Sequence, residues 1–224
     1  MKPIKYILLS LSTILLTNLT FSNNPTLPEP YKSINVLAPD YFEWWFPLAN
    51  RKMLQHFITT MKPTVVVEIG SWLGASAIFM AGLLPDESKL YAIDHWQGSR
   101  EHFDGNYNRL LVKLYHQFLS NVIHSNVAHK IVPVKTSSLD AATLLDINPD
   151  LIYIDGSHDP VDVYNDIMAW YPKLAVGGIM CGDDYGWGNE QVGYVNSGVD
   201  KAAAELGVSV SVIDDVFWYF PPKV

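Results

Sequence analysis

The chain has one cysteine, Cys181, among its 224 residues. An intramolecular disulfide and a cysteine-based zinc site are both excluded, and a reducing compartment would suit the protein. Positive charge is also scarce. Fifteen Lys and Arg face 23 Asp and Glu, giving a formal net charge of −8, and no basic run occurs. A nucleic-acid partner calls for a basic face that displaces counterions from phosphates, so the charge balance argues against one. No internal repeat is visible. What remains is a chain with 49% apolar and 17% charged residues, enough for one α/β domain with its own core and short for two.

The longest apolar stretch, residues 6–21, is marginal for a bilayer, which needs roughly 20 apolar residues. Ser10, Ser12, Thr13, Thr17 and Asn18 interrupt it. Lys2 and Lys5 precede it and Ser22, Asn23 and Asn24 follow, the layout of a secretory signal. Residues 1–22 are accordingly read as a signal peptide or an N-terminal membrane anchor. The protein would then be secreted, periplasmic or membrane-anchored, and cytoplasmic if the segment is not a working signal. Residues 23–40, with Pro25, Pro28, Pro30 and Pro39, read as a linker, and 41–224 as the folded domain.

Residues 41–61 carry apolar positions at near-helical spacing and an aromatic cluster, Tyr41, Phe42, Trp44, Trp45 and Phe46. The cluster either packs on a sheet edge or lines a substrate mouth. Beyond residue 64, β-branched runs alternate with amphipathic stretches. Strands are predicted at 65–69, 89–94, 131–135, 151–155 and 178–182, with helices at 75–84, 106–123, 139–145, 161–170 and 199–206. Two last strands, 208–212 and 217–220, flank Asp214-Asp215 and must be antiparallel to each other. This is an α/β pattern: a doubly wound, mostly parallel seven-stranded sheet with an antiparallel C-terminal strand pair.

Ligands of such sheets sit beyond the carboxyl ends of the strands. The first of those ends reads Glu68-Ile69-Gly70-Ser71-Trp72-Leu73-Gly74-Ala75-Ser76. Gly70 permits a sharp turn and Gly74 lets a helix start close to a ligand. Trp72 stands where a dinucleotide fingerprint needs its second glycine, and no Gly-Lys-Ser/Thr follows, so a ligand lacking a pyrophosphate fits better. Asp94 ends the second strand at the distance where an acid accepts both ribose hydroxyls. Asp155 ends the fourth strand and Asp183-Asp184 the fifth. Three carboxylates in one cleft are costly unless a cation shares them, and oxygen ligands suit Mg²⁺ or Mn²⁺. Any one of the three could instead cap a turn.

Glu68, Gly70 and Gly74 followed by Asp94 resemble the cofactor site of class I S-adenosylmethionine-dependent methyltransferases. The stretches Ile154-Asp155-Gly156-Ser157-His158 and Gly177-Gly178-Ile179-Met180-Cys181-Gly182-Asp183-Asp184-Tyr185 are similar to those of metal-dependent small-molecule O-methyltransferases, the methyltransferase domain 24-like group. The resemblance runs from about Val65 to Phe220. It implies a Rossmann-like fold and transfer of a methyl group to a small-molecule acceptor, a hydroxyl by preference, with Mg²⁺ or Mn²⁺ on Asp155, Asp183 and Asp184. The expected cofactor contacts are Glu68, Gly70, Ser71, Gly74, Ser76, Asp94 and Asp155, joined by Ser137 and Ser138 near the adenine and by Trp96 stacking on it. His158 is the candidate base or metal ligand, with a plain surface histidine as the alternative. Related catechol-type enzymes carry a catalytic lysine at that position. A nicotinamide-dependent oxidoreductase, a hydroxylase-labelled branch of the same family and a non-catalytic ligand-binding domain of the same fold are the competing readings. Residues 95–108 and 186–197 are expected as lids that choose the substrate.

Overall fold

The protein is described by a computed structural model covering residues 27–40, 45–99, 102–103, 107–191 and 193–224. The predicted signal or anchor, residues 1–22, lies outside the described residues, as do Tyr41, Phe42 and Trp44. Among the described residues no helix is long and apolar enough to cross a membrane.

Helix α1 (Leu48–Met61) leads into β1 (Val65–Ile69), and α2 (Ala75–Leu83) into β2 (Lys89–Asp94). Then come α3 (Asn108–Leu111), α4 (Leu114–His124), β3 (Ile131–Lys135), α5 (Ser138–Leu144), β4 (Leu151–Ile154), α6 (Pro160–Trp170) and β5 (Ile179–Gly182). A small hairpin, β6 (Gly188–Asn189) and β7 (Gly193–Tyr194), precedes α7 (Val195–Leu206), β8 (Ser211–Ile213) and β9 (Phe217–Tyr219). The seven-stranded sheet has the order β3-β2-β1-β4-β5-β9-β8. Its first five strands are parallel, and β9 is antiparallel to both β5 and β8. The expected architecture stands.

Local chemistry explains most of it. The apolar runs of β1, β4 and β5 have no alternation because both their faces are covered. Pro133, which cannot donate to a ladder, sits in the edge strand β3. Asp159 caps α6 by accepting from Val161 N at 2.8 Å, with Pro160 at the first helical position. Leu54, Met80 and Phe118 fill the core on one sheet face, and Ile167, Trp170 and Val199 on the other.

Three expectations shift. The helix predicted over 106–123 is broken between α3 and α4 at Lys113, which has φ −119°. The strand predicted at 208–212 starts only at Ser211. Gly207 ends α7 in the left-handed conformation, and Val208 N is committed to Ala203 O at 3.0 Å.

The third is the linker. Residues 27–40 are a strap docked on α4. Tyr31 is 2% exposed and donates from its hydroxyl to Ile131 O at 2.9 Å. Leu37 N donates to Ser120 Oγ, Gln117 Nε2 to Ala38 O, and Asp40 exchanges two bonds with the Asn121 amide. Four prolines signalled a chain that cannot be helix or sheet, and such a chain can still be buried if side chains satisfy its backbone. The polar residues Gln117, Ser120 and Asn121 do that here, which is why they are buried. Tyr31→Ala should cost about 3–5 kcal/mol in urea unfolding and Tyr31→Phe about 1 kcal/mol. Unchanged stability of both would return the segment to a linker.

Candidate active site

The carboxyl ends of β1, β2, β4 and β5 open onto a cavity of about 790 Å³. The loop after β1 forms one wall. Gly70 has φ +86°, and a Cβ there would lie 2.0 Å from Asp155 O and 2.6 Å from Gly156 Cα. Only glycine lets this loop cross the end of β4.

Asp94 ties the same loop to β2. Its Oδ2 accepts from Ser71 N at 3.2 Å and Trp72 N at 2.9 Å, and its Oδ1 from Trp96 N at 2.6 Å. A carboxylate offers about four acceptor positions, so these three bonds leave one, and Asp94 lines the cavity. Of the residues that the sequence singled out, Gly70, Ser71, Ser76, Asp94, Ser137, Ser138, Asp155, His158, Asp183 and Asp184 line that cavity.

Three expected contacts do not. Glu68 is fully buried beneath the loop and accepts from Ser71 Oγ and Ser76 Oγ, both at 2.5 Å. It shapes the loop and does not line the cavity. Gly74 is glycine because its φ is +91°, and its missing side chain would point at Phe118, 3.1 Å away, and not at a ligand. Trp96 is 3% exposed, packs on Tyr115 and Phe118 and donates from Nε1 to Trp72 O at 2.9 Å. It is a strut under the loop and cannot stack on adenine. The hydroxyls of Ser137 and Ser138 are also engaged, the first capping α5 and the second accepting from Trp170 Nε1 at 2.9 Å.

The acid cluster lies at the ends of β4 and β5. One oxygen from each of Asp155, Asp183 and Asp184 lies within 4.8 Å of the others. Burial pushes the Asp155 carboxyl well above its ordinary range, and the charges of Asp183, Asp184 and Glu68 add to this. Burial, then the charge of Asp184, raises Asp183 to about 6. The donor set fits a hard divalent cation: three carboxylate oxygens, close together, whose mutual repulsion such an ion would relieve. His158 Nε2 lies 2.8 Å from Asp184 Oδ2, and the His158 ring is 4.3 Å from that of Trp187.

Residues 67–185, just over half the chain, match the methyltransferase domain family. The chain belongs to that family. It is an S-adenosylmethionine-dependent methyltransferase of class I, and the nicotinamide reading is set aside. No curated protein matches it in sequence. Among solved structures it is similar to the O-methyltransferase TomG from Streptomyces achromogenes, involved in tomaymycin synthesis and solved with S-adenosylmethionine. The two are 17% identical, with 80% of this chain and 81% of that one covered and a TM-score of 0.61. An O-methyltransferase from Bacillus cereus, solved with S-adenosylhomocysteine, is 18% identical, with 86% and 87% covered and a TM-score of 0.60. A protein provisionally named an rRNA methylase, from Clostridium thermocellum, is 12% identical, with 77% and 95% covered and a TM-score of 0.59. At these identities the likeness shows the fold, which serves small and large acceptors alike.

The methyltransferase supports its acid cluster with residues that the sequence reading passed over. Tyr153, fully buried on β4, donates to Asp155 Oδ2 at 3.2 Å and accepts from Asn50 Nδ2 at 2.9 Å. Trp218 on β9 donates to Asp183 O at 3.1 Å, and Gly182 leaves room for its ring, which a Cβ would meet at 2.4 Å. One signal existed: Asn50 lies four residues before Leu54 on the apolar face of α1, where a polar residue needs a reason. At the mouth, Trp45 stacks on Trp72 with centroids 5.3 Å apart, and Trp72 on His102 at 4.1 Å. The substrate-mouth alternative for Trp45 is the one that the geometry favours.

Glu68 gives this site a measurable pH dependence. Burial raises its carboxyl from 4.5 to about 7, against the pull of the Ser71 and Ser76 hydroxyls and with a push from Asp94. Between those values the folded protein holds a proton that the unfolded chain has released, so stability falls as pH rises through this window, by about 3 kcal/mol. Glu68→Gln should match the unaltered protein at pH 5 and exceed its melting temperature at pH 8. An equal difference at both pH values would place the proton elsewhere.

Proposed function

We propose that this methyltransferase transfers the methyl group of S-adenosylmethionine to a hydroxyl of a small planar molecule, with a divalent cation on Asp155, Asp183 and Asp184. The observation that carries this reading is the convergence of three carboxylate oxygens within 4.8 Å at the ends of β4 and β5, the first of which touches the Gly70 loop. When bound there, such a cation lowers the pKa of an acceptor hydroxyl and fixes its oxygen.

The chain's own residues do the rest. Gly70 and Ser71 carry the methionine part of the cofactor, and Asp94 takes one ribose hydroxyl on its remaining acceptor position. His158 receives the acceptor's proton or shares it with Asp184, to which it is already bonded. The stacked Trp45, Trp72 and His102 exclude water and favour a flat acceptor. Among the described residues that line the cavity there is no Lys or Arg, and six are Asp, so an uncharged or cationic acceptor is favoured over a phosphate-bearing one. The same lack speaks against nucleic acid.

Activity should vanish with EDTA and return with Mg²⁺ or Mn²⁺. Mg²⁺ should also raise the melting temperature more at pH 8 than at pH 5, because Asp183, raised to about 6, must lose its proton to bind metal, and the upward shift of Asp155 acts in the same direction. Asp183→Asn should weaken Mn²⁺ binding tenfold or more and leave S-adenosylhomocysteine binding intact. Full activity in EDTA would remove the metal and leave His158 as a metal-free base.

For residues 1–22 we keep the targeting role, with membrane association through that segment if it is retained. A chain starting at Asn24 should have the melting temperature and S-adenosylhomocysteine affinity of the full chain. Loss of folding would place the apolar run in the core.

A further inference from the structure

Each acid of the cluster already gives one carboxylate oxygen to a donor of the protein. Tyr153 donates to Asp155 Oδ2 at 3.2 Å and the Asp184 backbone N–H to Asp183 Oδ1 at 2.7 Å, while His158 Nε2 lies 2.8 Å from Asp184 Oδ2. The bond to Asp183 comes from a residue held at φ +58°, in the left-handed region that side chains other than glycine rarely adopt. The donor to Asp155 is itself held in place. Tyr153 is 0% exposed, its ring stacks on Phe217 with centroids 6.4 Å apart, and its hydroxyl accepts from Asn50 Nδ2 at 2.9 Å.

A phenol has one proton, so a hydroxyl that accepts from Asn50 is free to send that proton to Asp155. The direction depends on Asn50. Its Nδ2 faces Tyr153, and its buried Oδ1 has no hydrogen-bond partner. Burial raises the Asp183 carboxyl, and a hydrogen bond from the same amide opposes this. Turned the other way, the amide would offer Oδ1 to the phenol and draw its proton away from Asp155. Asn50 stands on α1, ahead of the stretch 67–185 that matches the family, so this support comes from outside it.

A carboxylate pinned on one oxygen cannot turn both oxygens to one ion without giving up that bond. Ca²⁺ takes about six to eight oxygens and accepts carboxylates through one oxygen or both, whereas Mg²⁺ demands a near-ideal octahedron and keeps several waters. We infer that Tyr153, oriented by Asn50, holds Asp155 as a one-oxygen ligand and so sets the cluster for Mg²⁺ or Mn²⁺ against Ca²⁺. This rests on the divalent-cation reading of the cluster. Tyr153 and Asn50 are positioning residues, acting through Asp155.

Titration of the full chain with Mn²⁺, followed by the paramagnetic resonance signal of the free ion, and displacement of that Mn²⁺ by Ca²⁺ test it. The unaltered protein should hold Mn²⁺ about tenfold more tightly than Ca²⁺, or better. Tyr153→Phe keeps the ring and removes the donor. It should weaken Mn²⁺ binding about tenfold and leave Ca²⁺ binding unchanged or tighter, so that the preference is lost. Asn50→Leu, similar in size, should lower the same ratio with Tyr153 still in place. A melting transition recorded in EDTA shows which variants are folded. A merely structural role would weaken both cations alike, so an unchanged ratio in a folded variant overturns the inference. Ca²⁺ bound as tightly as Mn²⁺ by the unaltered protein overturns it without any variant. Failure of the unaltered protein to bind Mn²⁺ at all would overturn the cation reading itself, a result distinct from binding without selectivity.

Discussion

The backbone of Gly70 lies so close to the carbonyl of Asp155 that one added carbon would sit 2.0 Å from it. This contact joins the two halves of the site. The loop after β1 lines the cavity, the end of β4 starts the acid cluster, and neither can move without the other. Gly70 N is also bonded to Ile93 O at 2.9 Å, and Asp155 N to Ile69 O at 2.8 Å, so three strand ends are locked in one register. Under the proposed reading, the separation of a methyl donor and its acceptor would be set by backbone packing, which is more reproducible than one set by side-chain rotamers.

That arrangement crowds negative charge. Glu68, Asp155, Asp166 and Asp183 are all pushed above their ordinary carboxyl range, with burial as the leading cause in each. The fold softens the strain with neutral donors: two serines on Glu68, Tyr153 on Asp155 and Ser138 on Asp166. Hydroxyls can pair with an acid in either protonation state, which a lysine or arginine cannot do without staying charged. The chosen partners therefore leave the acids free to take a cation or a ligand donor.

The strands and their terminal acids were legible because a buried parallel strand is a continuous apolar run, and a charged residue at its end has no packing reason to be there. Asp94, Asp155 and Asp183 stood out in that way. Glu68 sits inside such a run, one residue before Ile69, and its sequence signal was read as ligand contact when the residue is in fact folded under the loop. Trp96 and Gly74 failed for the same reason, since whether a side chain points into a cavity or into Phe118 depends on α4, a separate element further along the chain. The strap was missed because its backbone partners, Gln117, Ser120 and Asn121, lie about 80 residues downstream. Asp166 and Asn50 were in principle visible as polar residues on apolar helix faces, but their partners were not.

The strap also gives the domain a polarity. Tyr31 bonds the first residue of β3, at the amino edge of the sheet, while Asp40 is held by Asn121, whose amide also reaches Leu73 O in the cavity wall. The chain thus climbs α4 from the back of the domain to the rim of its binding site.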